Sequence, residues 1–150
     1  DLEVDCTGTN GFGFRNCTNL TNCIGTGTGG STGYGFYYCT NLTNCTGTGT
    51  GTGGSAGGYG FWECTNLTNC TGTGTGGSTG YGFRDSTNLT NCIGKGTGAT
   101  YGCGFYEITY ASNCKDGGSS TNMWGGTNKN IDIDTCRKTP VEANITELNT

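Results

Sequence analysis

The sequence contains no histidine. That absence removes Ser-His-Asp and Cys-His nucleophile arrangements, the HExxH zinc site and imidazole acid–base chemistry together. Charge is scarce as well: between Asn16 and Phe83 the only charged residue is Glu63, and the net charge is −4. With no basic stripe, binding to nucleic-acid phosphates has no electrostatic basis. No apolar run is long enough to span a bilayer. The carboxylates lie mostly near the two ends in no obvious pair, so the chain is expected to be a non-enzyme that needs neither cofactor nor metal. Hydrophobic residues make up only 31% of the chain, too few for an ordinary core of Leu, Ile and Val.

Glycine and cysteine are abundant instead, with 32 and 11 copies in 150 residues. Composition of this kind argues for disorder unless the sequence repeats, because stacked repeats bury an interior that no single repeat can make. It does repeat. Phe14, Phe36, Phe61, Phe83 and Phe105 are separated by 22, 25, 22 and 22 residues. Three positions after each stand Cys17, Cys39, Cys64, Ser86 and Ile108. Six positions after stand Leu20, Leu42, Leu67, Leu89 and Ala111; nine after, Cys23, Cys45, Cys70, Cys92 and Cys114. Two positions before the phenylalanines stand Phe12, Tyr34, Tyr59, Tyr81 and Cys103. The expected fold is mainly β: a glycine-rich solenoid of about five coils of 22–25 residues over residues 1–114. Stacked at about 4.8 Å per coil, it predicts Phe, Leu and Cys ladders in a rod about 20–25 Å long. Cys6 is assigned to a truncated leading coil.

Within each coil the period changes. Phe36, Cys39, Leu42 and Cys45 recur every third residue, which predicts a 3₁₀-like turn or an extended three-fold helix with one edge inward. Cys45-Thr-Gly-Thr-Gly-Thr50 then alternates as a strand, with Cys and Gly on one face and Thr on the other. The Gly-Gly-Ser stretches at 29–31, 53–55 and 76–78 are expected to turn through positive φ. The extra residues of the third interval fall between Cys45 and Tyr59, at that turn.

The run from Tyr34 to Cys45, YGFYYCTNLTNC, resembles the AF-x-x-C-x-x-L-x-x-I unit of BspA-type leucine-rich repeats, with Cys-Thr-Gly-Thr in place of the I-x-I-P strand. The longer pattern C-T-N-L-T-N-C-T-G-T-G is similar to glycine-rich repeats of bacterial surface proteins and of fibre proteins of phages. The resemblance covers roughly residues 6–114. It implies an exposed fibre or adhesin, extracellular, at a cell surface or on a virion, and carries over no catalytic residue.

From Cys114 the composition shifts. Residues 115–150 are expected to form a small cap: a polar loop to Asn130, an edge strand at Ile131–Asp134, and a short helix from Thr139 through Pro140, Val141 and Glu142. The cap is expected to dock on the solenoid end or on a neighbouring subunit.

Several residues are candidates for chemistry. The cysteines read as buried thiols, inter-coil disulfides or metal ligands; Ser86 and Ile108 in one column favour packing over pairing. Free thiols imply assembly in a reducing compartment. Asn-x-Thr sequons at Asn16, Asn19, Asn41, Asn44, Asn66, Asn69, Asn88 and Asn144 read as glycosylation sites or as corner columns that satisfy backbone groups. Thr26, Thr28, Thr48, Thr50, Thr73 and Thr75 form a candidate outward array, the usual surface of ice-binding β-solenoids; its plainer reading is solvent-facing β-branched residues. Tyr34, Tyr59 and Tyr81 are candidates for a sugar-stacking groove. Asp116, Asp132 and Asp134 match no calcium loop. The function expected is a structural or adhesive segment of a fibre or surface appendage. Its partners are further copies of itself and a cell-surface glycan or receptor. The alternative is ice binding.

Overall fold

The computed structural model describes residues 2–117, 122–126 and 128–131. Strands of successive coils lie parallel and in register, making a parallel β-solenoid of about five turns. The first two coils open with long strands, β1 (Leu2–Arg15) and β2 (Cys23–Tyr37). Later coils break the same path into a Thr/Gly strand and an aromatic return strand. The Thr/Gly strands are β4 (Thr46–Gly51), β7 (Thr71–Gly76) and β10 (Ile93–Gly98). The returns are β5 (Gly57–Trp62), β8 (Thr79–Arg84) and β11 (Tyr101–Tyr106). A third face is built by β3 (Thr40–Thr43), β6 (Thr65–Thr68), β9 (Thr87–Thr90) and β12 (Thr109–Ser112). Bridges from Thr18 to Thr40 and from Thr21 to Thr43 carry that face into the first coil.

Register makes the columns. Phe36 pairs with Phe61 and Phe61 with Phe83, and Leu42, Leu67 and Leu89 align on the third face. The Phe rings stack at 4.8–5.2 Å from Phe36 to Phe105. With the Leu column and both Cys columns they form one interior cluster. Cys6 lies opposite Gly27 and outside the cysteine columns.

Glycine fills the rest of the interior. Thr46, Thr48 and Thr50 are half-buried, whereas Cys45, Gly47, Gly49 and Gly51 are buried, the division of faces that alternation predicts. The Thr/Gly sheet and the return sheet meet through glycines on both sides. A Cβ on Gly60 would lie 2.6 Å from both the Gly82 carbonyl oxygen and the Thr73 nitrogen. One on Gly49 would lie 2.5 Å from the Tyr59 nitrogen, and the carbonyl oxygens of Tyr59 and Gly33 are nearer still. Facing sheets ordinarily stand about 10 Å apart because side chains fill the gap. Here backbone rests on backbone.

The period-three arm is neither a 3₁₀ turn nor a uniform three-fold helix. Among the described residues fifteen non-glycine residues have positive φ, at every third position of each arm, and ten of them are Asn. Asn41 (φ 57) and Asn44 (φ 55) are typical. Asn enters the left-handed region at the least cost after glycine, so the arm is short extended pieces joined by left-handed corners. The Gly-Gly-Ser stretches do not use positive φ; among the described glycines only Gly126 does, at 70°. In the second coil Gly29–Ser31 runs on inside β2. The corner asparagines bond to one another and not to backbone: Asn66 Nδ2 donates to Asn41 Oδ1 at 2.9 Å, and Asn88 Nδ2 to Asn66 Oδ1 at 2.8 Å. Replacing Asn66 by valine is expected to cost about 2 kcal/mol, combining the left-handed penalty with the lost amide ladder. Glycine there should cost about half as much, since it restores only the backbone freedom. Urea melts of the two variants measure the difference.

Strands continue past Cys114, where the sequence reads as a polar loop. β13 (Lys115–Asp116) pairs with β10, β14 (Asn122–Gly125) with β11, and β15 (Lys129–Ile131) with β12. Trp124 stacks on Phe105 at 4.8 Å, taking the next place in the Phe column, and Ile131 pairs with Ala111 in the Leu column. The expected strand beyond Ile131 and the expected helix from Thr139 lie outside the described residues.

Candidate functional site

Two outer faces carry the surface chemistry. On the first, alternation within the Thr/Gly strands turns every threonine outward. Register aligns Thr26 with Thr48 and Thr73, and Thr28 with Thr50 and Thr75. Thr97 extends the second column and Lys95 ends the first. Thr97 Oγ1 donates to Thr75 Oγ1 at 3.3 Å. The structure therefore brings all six candidate threonines together as a grid, spaced about 4.8 Å between coils and about 6.6 Å along a strand.

The second face is aromatic. Gly58 and Gly60 point at the opposing sheet, so Tyr59, between them, points away from it. Strict alternation would put Tyr59 and Phe61 on one face, yet Phe61 belongs to the interior cluster and Tyr59 to a separate one with Tyr34, Tyr81 and Cys103. The Tyr59 ring lies back along its own strand, and a Cβ on Gly57 would collide with its hydroxyl. A second column, Arg15, Tyr37, Trp62, Arg84 and Tyr106, folds over the first in register. The predicted sugar-stacking tyrosines are consequently covered: Tyr34, Tyr59 and Tyr81 are only 9%, 6% and 4% exposed. Their faces stack on neighbouring rings, so no continuous aromatic groove lies open along these three positions.

Arg84 sits at the centre of this layer. Its guanidinium carbon lies 4.4 Å from the Trp62 ring centroid and 5.2 Å from that of Tyr59. Nε donates to Asp85 Oδ2 and a terminal nitrogen to the Tyr59 hydroxyl, both at 3.1 Å. The pairing neutralises the charge locally and holds Arg84 flat between rings, where a cation is favoured by their faces. Sequence reasoning passed over this residue, because Arg84 occupies a column position filled by Tyr and Trp in its neighbours.

Cys17, Cys23, Cys39, Cys45, Cys64, Cys70, Cys92 and Cys103 form no disulfide, and all but Cys17 are buried. Each column member donates its thiol to nearby carbonyls; Cys45, for example, reaches the Thr43 oxygen at 3.4 Å and the Leu20 oxygen of the preceding coil at 3.6 Å. Ser86 takes the same part with its hydroxyl, donating to the Arg84 oxygen at 2.9 Å. Among the described residues no group of three or more Cys, Asp or Glu could hold a metal ion. Burial pushes the Cys45 thiol up to about 11 and the Cys103 thiol up to about 12, against about 8.5 for a thiol in the unfolded chain. These two thiols thus keep their protons where unfolded ones lose them. The resulting stability is fully present below about pH 8.5 and falls as pH rises toward the folded values. Each such thiol contributes a slope of about 1.4 kcal/mol per pH unit in that window. Above about pH 8.5 urea midpoints of the unsubstituted chain are expected to fall more steeply with pH than those of a Cys45→Ser variant.

Comparison with family models, with curated proteins and with solved structures found no match.

Proposed function

We propose that the chain is a rigid structural and adhesive segment of an extracellular fibre, a phage tail fibre or a bacterial surface appendage, working as a homo-oligomer or filament. The observation that carries this reading is the in-register stacking of the coils, interrupted in the β1–β2 pairing by one irregularity between Gly8 and Asn10. Phe, Leu, Cys, Asn and aromatic columns all run along the axis, so each coil is held by its neighbours through the same contacts. Among the described residues, β1 at one end and β13, β14 and β15 at the other each have one edge without a strand beside it. Such an edge accepts another chain by strand addition. The scarcity of charge adds no repulsion between copies. Light scattering on the purified full chain, with electron micrographs of the same sample, tests assembly. Filaments or defined multi-subunit particles are expected; a uniform 15.4 kDa monomer contradicts the reading.

The threonine grid favours a second reading, ice binding by a flat β-branched face. It predicts thermal hysteresis from the monomer, lost when Thr48 and Thr73 are both replaced by tyrosine. Freezing experiments without hysteresis for the unsubstituted chain exclude it.

A further inference from the structure

The outer aromatic column lacks one rung. Phe12, Tyr34, Tyr59 and Tyr81 follow one another in register, and the next position is Cys103. A thiol leaves unfilled most of the volume of the phenol it replaces. Tyr106 leans into part of the space, stacking on Tyr81 at 4.5 Å and 17°. The corresponding contacts between earlier coils, Trp62 on Tyr34 and Tyr37 on Phe12, are tilted at 32° and 36°. From the far side, Gly125 packs close over Cys103 and Tyr106 without a side chain of its own; its added Cβ would stand 2.9 Å from the Cys103 sulfur. What remains is a cleft of about 680 Å³ lined by Tyr81, Tyr101, Cys103, Tyr106, Arg84 and Thr100, among others. That volume is within the range of small-molecule sites.

A second substitution falls at the same place. The Tyr59 hydroxyl is 3.3 Å from Thr79 Oγ1, one coil further on. The residue aligned with Thr79 in the next coil is Tyr101, whose side chain stands out at 64% exposure and forms the rim of the cleft. The Tyr81 hydroxyl, which by the repeat would bond to position 101, makes no hydrogen bond within the described residues. The Tyr81 hydroxyl is thus left without the partner that Tyr59 has, and Tyr81 lines the cleft. A ligand hydroxyl can take the place of that partner.

We infer that this cleft binds a neutral pyranose ring, the C–H face against the Tyr106 and Tyr101 rings and the ring hydroxyls on the Tyr81 hydroxyl, Thr100 and the free edge of the Arg84 guanidinium. Aromatic walls alone would suit a planar aromatic compound equally. The rim of hydroxyls and a guanidinium favours a ring that is polar at its edge and apolar on its face. Because Asp85 already balances Arg84, the cleft gives no preference for an anionic sugar. The inference names a ligand for the adhesive role above and rests on it.

Saturation-transfer NMR on the full chain, with the methyl glycosides of glucose, galactose, mannose and N-acetylglucosamine and with tryptophan as the aromatic control, tests it. At least one glycoside is expected to receive saturation, displaced by unlabelled sugar and not by tryptophan. Cys103→Tyr restores the missing rung, and Tyr101→Thr restores the partner of the Tyr81 hydroxyl. Each is expected to weaken binding tenfold or more while leaving the melting temperature unchanged or raised. No transfer to any glycoside, transfer to tryptophan alone, or undiminished binding in both variants overturns the inference. Assembly is read separately by light scattering. A chain that forms filaments but binds no sugar loses only this inference, whereas a monomer that binds sugar loses only the fibre.

Discussion

Replacing Gly60 by alanine is expected to destabilise the protein by about 3 kcal/mol or more, at the upper end of what overpacking costs. The added methyl group would lie within 2.6–2.7 Å of the Gly82 oxygen, the Thr73 nitrogen and the Gly72 Cα. All three are backbone atoms in regular strands, so no side chain can swing aside. Relief requires the two sheets to separate, and separation at one coil lengthens contacts in the coils above and below. Gly54 supplies the control, because a Cβ there meets nothing within 4 Å. Alanine at Gly54 should be neutral or slightly stabilising, through the smaller conformational freedom of the unfolded chain. Urea midpoints for the two variants, read with their slopes, decide the matter. Equal stability would mean that the sheets are not in backbone contact.

Phe61→Ala is expected to cost about 4 kcal/mol, as for a fully buried ring. Phe61 has no exposed surface and lies in the middle of the column, 4.8 Å from Phe36 and 4.9 Å from Phe83. Its loss leaves a cavity walled by two rings and by glycines that have no side chains with which to fill it. Phe14 is the contrast. It stacks on Phe36 alone and is 7% exposed, so Phe14→Ala should cost about half as much. Stability in a solenoid is close to a sum of nearest-neighbour terms. The gradient from centre to end therefore matters as much as either value. Equal losses at Phe14 and Phe61 would indicate an interior that is not built as a column.

Much of this architecture was legible in the residues. The spacing of Phe14, Phe36, Phe61, Phe83 and Phe105 by 22 or 25 residues sets the coil length, and the change from a period of three to a period of two divides each coil into arm and strand. The threonine grid follows from alternation and register alone. The corners were harder to read. Glycine was expected to supply the left-handed residues, but Asn41, Asn44 and their equivalents do so. The signal was present, since Asn recurs at the third position of each arm and, after glycine, best tolerates that conformation. Glycine is needed elsewhere, where backbone meets backbone.

The aromatic face was misread for a related reason. Tyr34, Tyr59 and Tyr81 looked available because they precede the buried Phe by two residues on an outward strand. Sequence spacing does not reveal that a neighbouring column folds across them. The same limit hid the extra strands beyond Cys114: Trp124 follows Phe105 by 19 residues instead of 22, and the coil it starts shares no motif with those before it. Cys103 and Tyr101 are departures from the repeat that alignment of the coils displays at once. Their joint effect on the Tyr81 hydroxyl appears only when the coils are stacked.

The central claim is that a chain with this much glycine and this little hydrophobic surface is nonetheless rigid, held by in-register strands. Native-state hydrogen exchange of the full chain, resolved to the peptides covering Thr46–Gly51 and Gly57–Trp62, tests it most directly. The account predicts strong protection of these amides, exchanging only with global opening and more slowly than those of β1 and β13. Exchange of the Thr/Gly strands at the rate of an unfolded chain would contradict it.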